Sequence, residues 1–179
     1  MYTGSLNLSK TVNISSRIRE MARRHPHARA VIWPVRRDRR GTMAYAHLTF
    51  AALERAGDAY ARGLARAGIG RGVKTIVMVK PGVEFFGLML GLLRAGAVPV
   101  LVDPGMGVRR MLHCLASTGA EAFIGIPVAH VLRTIAPRFF KSVKIAVTAG
   151  PRLFWGGLSL RQVREEGDTP CAIAGTKAD

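Results

Sequence analysis

Four short apolar runs, separated by helix-length stretches, constrain this chain more than any other feature. "TIVMV" begins at residue 75, "VPVLV" at 98, "AFIGI" at 122 and "KIAVT" at 144, so the steps are 23, 24 and 22 residues. Between them lie residues 83–95 (VEFFGLMLGLLRA), 108–117 (VRRMLHCLAS) and 128–136 (VAHVLRTIA). Strands that are apolar on both faces belong in a parallel sheet covered by helices on both sides, joined by right-handed crossovers. The rhythm predicts an α/β fold, a Rossmann-like open and mostly parallel sheet with helices on both faces. The twenty residues Val83–Val102 imitate a membrane span. Glu84 and Arg94 are charged and Gly96 and Pro99 interrupt the run, so a buried helix followed by a buried strand explains the same letters.

The first seventy residues read less regularly. "RIREMARRH" follows Ser15 and Ser16, carries Ile14, Ile18, Met21 and Ala22 at helical spacing, and stops at Pro26. Ala30–Trp33 is strand-like, Pro34–Gly41 is a basic loop, and "TMAYAHLTF" alternates like a strand. Thr49 is placed to cap a helix whose apolar stripe is Leu53, Ala56, Tyr60 and Leu64. Glu54, Arg55, Asp58 and Arg62 fall outside that stripe, and Gly68 closes the helix. After Thr148 the pattern weakens to a turn at Trp155–Gly157, a short helix over Leu158–Arg164 and a linker-like "EEGDTP".

With 49% hydrophobic and 21% charged residues the chain folds rather than staying disordered. Its charge is lopsided: 27 Lys+Arg against 11 Asp+Glu, a formal +16. Such a surplus attracts polyanions, and Arg36, Arg37, Arg39 and Arg40 stand together. No aromatic residues interleave with them as a stacking platform requires, so nucleic acid is not the expected partner; an anionic substrate explains the surplus at least as well. Cys114 and Cys171 read as reduced thiols. "MYTGSLNLSKTVN" has no apolar core of a signal peptide. The expected location is the cytoplasm, without a transmembrane segment.

Asp103-Pro104-Gly105-Met106-Gly107 follows a strand, where many α/β proteins hold a phosphate. A dinucleotide fingerprint needs a third glycine for helix packing; that position is Arg110, and no Gly-Lys-Ser/Thr loop occurs elsewhere. Asp103 reads as an Asp-Pro turn that bonds nearby backbone amides. Of His25, His27, His47, His113 and His130, only His130 falls near the carboxyl end of a strand, and a packed or surface role is favoured for it. His113 and Cys114 are neighbours on one helix and point to different sides, so they are no metal pair. No nucleophile elbow is present. The residues therefore assign no catalytic, cofactor-binding or metal site.

Two segments carry a family resemblance. "LTFAALERAGDAYARGLARAGIGRG", beginning Leu48-Thr49-Phe50-Ala51-Ala52-Leu53, and Leu93-Arg94-Ala95-Gly96-Ala97-Val98-Pro99-Val100-Leu101-Val102-Asp103-Pro104 resemble N-terminal signatures of the AMP-dependent synthetase/ligase (adenylate-forming) superfamily. Pro99 stands where that family often has another residue. The stretch from Val102 to His130 looks most like the fatty-acyl-CoA-synthetase-like branch that includes olefin β-lactone synthetases.

The resemblance implies an enzyme using ATP and Mg2+, in which a carboxylate attacks the α-phosphate to give an acyl-adenylate and pyrophosphate. A thiol, or the substrate's own 3-hydroxyl, then displaces AMP. The family's Pro-Lys-Gly phosphate loop, its later ATP-binding motifs and its C-terminal lysine match no position here. Residues 1–164 are thus expected to be a partial N-terminal α/β subdomain, and 165–179 a linker-like tail ahead of that loop. The chain is expected to be a fragment of a ligase for a fatty or 3-hydroxy fatty acid, inactive alone, with the rest of the enzyme as its partner and apolar surface exposed along its sheet edge. The alternative is a stand-alone Rossmann-like nucleotide-binding or scaffold module.

Overall fold

The computed structural model describes residues 13–37 and 41–165. Helix α1 (Ser15–Arg24) leads into a ribbon of β1 (Arg29–Arg37) and β2 (Met43–Thr49), then α2 (Phe50–Arg66). Alternating strands and helices follow: β3 (Lys74–Met78), α3 (Val83–Ala95), β4 (Val98–Val100), α4 (Val108–Ser117), β5 (Ala122–Gly125), α5 (Pro127–Ile135) and β6 (Ile145–Thr148). The described chain closes with β7 (Leu158–Ser159) and α6 (Leu160–Glu165).

Strands β3 to β7 form one sheet in the order β4-β3-β5-β6-β7, with every pair parallel. The chain steps outward from β3 to β4, then crosses back over β3 to β5, so its direction of winding reverses between β3 and β5. Side-chain alternation builds a core on each face. Val77, Ile124 and Val147 meet Tyr60 and Leu64 of α2, Leu88 and Leu92 of α3, and Leu160 and Val163 of α6. One residue earlier, Ile76 and Phe123 point the other way, onto Met111, Leu112 and Leu115 of α4, Ala129 of α5 and Phe140. The expected α/β sheet with helices on both faces is the observed one. The span imitation resolves as α3 followed by β4, and among the described residues no helix is long and apolar enough to cross a membrane.

Local chemistry explains the helix ends. Thr49 Oγ1 accepts a hydrogen bond from the Ala52 amide at 3.2 Å and caps α2. At the other end Gly68 has φ of 82°, a conformation costly for residues with a Cβ. Its amide reaches the Ala65 carbonyl at 3.0 Å and the Ile69 amide reaches Leu64 at 2.8 Å, a Schellman pair that buries Ile69 completely. At α1 the capping group is Asn13, not the serines: its Oδ1 accepts from the Ser15 amide at 3.0 Å, and its Nδ2 donates to the Leu93 carbonyl at 2.7 Å, tying the helix to the end of α3.

Four expectations are corrected. Arg36 and Arg37 lie in β1, not in a loop; the strand runs through Pro34 because the ladder shifts register between Pro34 and Arg36, and bulges tolerate proline. Arg39 and Arg40 fall outside the described residues. Leu158 and Ser159 are a strand beside β6 rather than the start of a helix. Glu54 and Asp58, placed on an outer face, are drawn inward, as described below. Ile14, read as part of the α1 stripe, is 67% exposed. Apolar side chains stand exposed at the sheet edges: Val98 in β4 and Leu101 just after it, and Leu153 and Phe154 ahead of β7.

Candidate functional site

In open parallel sheets ligands bind beyond the carboxyl ends of the strands, where the winding reverses. Here that edge is built by residues 79–82 after β3, 101–107 after β4, 126 after β5 and 149–157 after β6. The Asp103 loop occupies it as a self-satisfied turn. Asp103 Oδ1 accepts a hydrogen bond from the Gly105 amide at 2.8 Å, and a Cβ on Gly105 would stand 3.1 Å from that oxygen. Gly107 (φ 86°) starts α4 and accepts from the Met111 amide at 3.0 Å. Arg110 is exposed in the first turn of α4. The amide that a phosphate needs is engaged by a carboxylate, whose negative charge also repels a phosphate. A nucleotide phosphate does not fit this loop.

His130 lies behind the same edge and is completely buried. Its Nε2 is 3.1 Å from the Val147 carbonyl and 3.3 Å from Thr148 Oγ1. The Trp155 ring stacks on it, centroids 5.2 Å apart and planes 7° from parallel, and Trp155 Nε1 donates to Thr148 Oγ1 at 2.9 Å. Phe123 closes the other side edge-on at 5.0 Å. Of the packed or surface role that the sequence left open, the packed one is observed: the imidazole pins the loop carrying Trp155 to the ends of β5 and β6.

Burial holds the His130 pKa below its ordinary 6.5, the bond to Val147 opposing this and the Arg133 charge adding to it. Below pH 6.5 the unfolded chain takes up a proton that the folded chain refuses. Stability therefore falls as the pH drops from 6.5 towards the lowered value, and it is unaffected above 6.5. Urea midpoints at about pH 7.5 and about pH 5.5 should differ more for the wild type than for His130→Gln, which cannot titrate. Equal differences would remove His130 from this role. His25, His27, His47 and His113 are exposed. Among the described residues no group of three metal-ligating side chains comes together.

The sequence reading missed a second constellation. Arg94, in the last turn of apolar α3, is completely buried. Its Nη2 is 2.7 Å from Glu54 Oε2, and its Nη1 is 2.5 Å from Asp58 Oδ1. Arg19 of α1 completes the square, with Nε 2.7 Å from Glu54 Oε1 and Nη2 2.9 Å from Asp58 Oδ1. The bonds to Glu54 and Asp58 raise the Arg19 pKa further. Two cations and two anions cancel, so the group offers no net charge to a ligand; it binds α1, α2 and α3 together. The signal was available: an arginine inside an apolar helix needs a partner, and Glu54 and Asp58 are four residues apart on one helix face.

A parallel sheet wound on both sides of a central strand, with its strand ends gathered along one edge, defines an open α/β unit of the doubly wound class. A profile of the family described as AMP-binding enzyme matches residues 18–174, and the chain belongs to that family. An olefin β-lactone synthetase of Stenotrophomonas maltophilia (strain K279a) is 46% identical over 162 residues, 89% of this chain and 29% of that protein. One of Xanthomonas campestris pv. campestris is 44% identical over 169 residues, 93% of this chain and 30% of that protein. Among solved structures, apo MbtA of Mycobacterium smegmatis superposes with a TM-score of 0.72 at 26% identity, over 94% of this chain and 30% of that one. A long-chain-fatty-acid-CoA ligase of Archaeoglobus fulgidus shares the fold with a TM-score of 0.76 at 16% identity, over 94% and 32%. The chain spans about 30% of the length of the curated relatives it matches.

Proposed function

We propose that this chain supplies the N-terminal part of an ATP-dependent acyl-adenylating enzyme that acts on a fatty or 3-hydroxy fatty acid and closes a β-lactone. The observation that carries this reading is the 44% and 46% identity to two olefin β-lactone synthetases. On this reading residues 1–164 are part of the N-terminal α/β subdomain, and 165–179 lead toward the phosphate loop. The sites for ATP, Mg2+ and the acid lie in the remainder of the enzyme, which works in the cytoplasm. The 179-residue chain is a frame without catalytic residues of its own. The rival reading, a stand-alone nucleotide-binding or scaffold module, gains nothing from the closed Asp103 turn.

ATP–pyrophosphate exchange tests the proposal. The isolated chain should show none with 3-hydroxy fatty acids. The same chain joined to the complementary remainder of the Stenotrophomonas maltophilia relative should show exchange that depends on the 3-hydroxy acid. Exchange by the isolated chain would overturn the frame reading. A folded chimera that exchanges only with unrelated acids would overturn the substrate class.

A further inference from the structure

Acidic residues are distributed unevenly over the two faces of the sheet. On the side of α1, α2 and α3, Glu20, Glu54 and Asp58 neutralise arginines in close pairs. On the side of α4 and α5 the pattern is different. Between Pro104 and Val143 the sequence contains Arg109, Arg110, Arg133, Arg138 and Lys141 and a single acid, Glu121. Glu121 precedes β5 at the opposite, amino edge of the sheet, where it binds Lys144 at 3.0 Å. Among the described residues Arg109, Arg110, Arg138 and Lys141 are exposed and make no ion pair.

The same face exposes aliphatic side chains. Val108 of α4 is 58% exposed, and Val128 and Ile135 of α5 are 66% and 76% exposed. Val128 and Ile135 are seven residues apart, two turns of helix, opposite the buried Ala129 and His130. The short turn Pro137–Phe139 touches both α4 and α5. With α4 it forms a groove of about 740 Å³ lined by Val108, Leu112 and Phe139, with Arg109, His113 and Arg138 around it. The Arg138 guanidinium lies 4.8 Å over the Phe139 ring. Cations interleaved with exposed aliphatic groups are what an interfacial helix presents to acidic lipid: the charges meet the headgroups and the aliphatic chains enter the acyl boundary. Charge-driven binding to nucleic acid gains little from exposed valine and isoleucine, and the stacking aromatics that single strands use are not exposed here.

We propose that the face formed by α4, α5 and the Pro137–Phe139 turn docks on the surface of an anionic lipid bilayer. Charge brings the protein to the surface, and the aliphatic side chains hold it there without spanning. The proposal does not rest on the ligase reading: it concerns the outer surface of α4 and α5, whose first turns lie just behind the carboxyl edge.

Co-sedimentation of the whole chain with vesicles tests it. Binding is expected to vesicles of phosphatidylglycerol and phosphatidylcholine in equal parts, to weaken steeply with salt, and to be lost on phosphatidylcholine alone. The variant Arg109→Gln/Arg110→Gln/Arg138→Gln/Lys141→Gln should bind at least about tenfold more weakly. A control with the same charge removed elsewhere, Arg29→Gln/Arg36→Gln/Arg37→Gln/Arg71→Gln, should keep most of the affinity. Val128→Ser/Ile135→Ser should weaken vesicle binding and leave binding to duplex DNA unchanged. Thermal melts establish that each variant is folded, and the single changes Arg109→Gln and Arg138→Gln replace the quadruple variant if it is not. Absence of vesicle binding overturns the proposal, as do equal losses in face and control variants. Indifference of vesicle binding to Val128→Ser/Ile135→Ser, with DNA bound as tightly, overturns it in favour of a generic polyanion.

Discussion

Replacing Arg94 with alanine should destabilise the fold by about 3–5 kcal/mol, the usual cost of removing one partner from a buried ion pair. Arg94 is the larger contributor to the four-residue square because it is completely buried, whereas the Arg19 side chain is 25% exposed. Without Arg94, Glu54 and Asp58 remain largely out of water with only Arg19 between them. Arg94→Lys should recover part of the loss, because a single ammonium cannot grip both carboxylates as the guanidinium fork does. Arg19→Ala should cost less and should loosen α1 selectively. Urea unfolding with an unchanged slope would assign the loss to the folded state. A loss below about 1 kcal/mol for Arg94→Ala would mean that water reaches the carboxylates and that the square is only a surface pair.

A second large effect is expected at Gly63. The α2 and α6 backbones approach so closely there that a Cβ on Gly63 would stand 1.5 Å from the Val163 carbonyl oxygen. A backbone oxygen in a helix cannot swing aside as a side chain can. Gly63→Ala should therefore displace α6, and with it β7, which α6 directly follows. The cost should reach or exceed about 3 kcal/mol, the upper end for overpacking. Gly57→Ala is the comparison: its Cβ would meet the Leu90 side chain, Cδ2 at 2.6 Å, and leucine can turn. Hydrogen exchange over residues 158–165 should rise in Gly63→Ala and stay unchanged in Gly57→Ala. Equal exchange in the two variants would refute the backbone clash.

The contrast between these two sites shows what the sequence could convey. Helices α3 and α4 are read from it to the residue, because glycines or polar turns bracket them and their apolar content is regular. The strand at 98–102 is shorter than its apolar run, because β4 is an edge strand whose ladder with β3 ends at Val100. Pro34 and Gly41 punctuate the basic segment like a loop, yet a register shift absorbs the proline within β1. At the carboxyl edge, Asp103 and His130 were legible because their roles are local to a strand end. The Arg19–Glu54–Asp58–Arg94 square was not, because its partners come from helices 35 to 40 residues apart and only packing brings them together. Gly63 was silent for the same reason, since nothing around it in the chain announces α6.

The sheet order has a consequence for how the chain is made. β5, β6 and β7 add to one side of β3 in the order in which they are synthesised. At roughly 5–20 residues per second, successive units emerge about 1–5 s apart, whereas a helix forms in about a microsecond. Each new strand therefore meets an edge already backed by its own folded helix, and the addition needs no rearrangement of what came before. The exception is β4, the one strand that adds to the far side of β3. By taking that side it leaves the near edge of β3 open, and every later strand grows the sheet in that single direction.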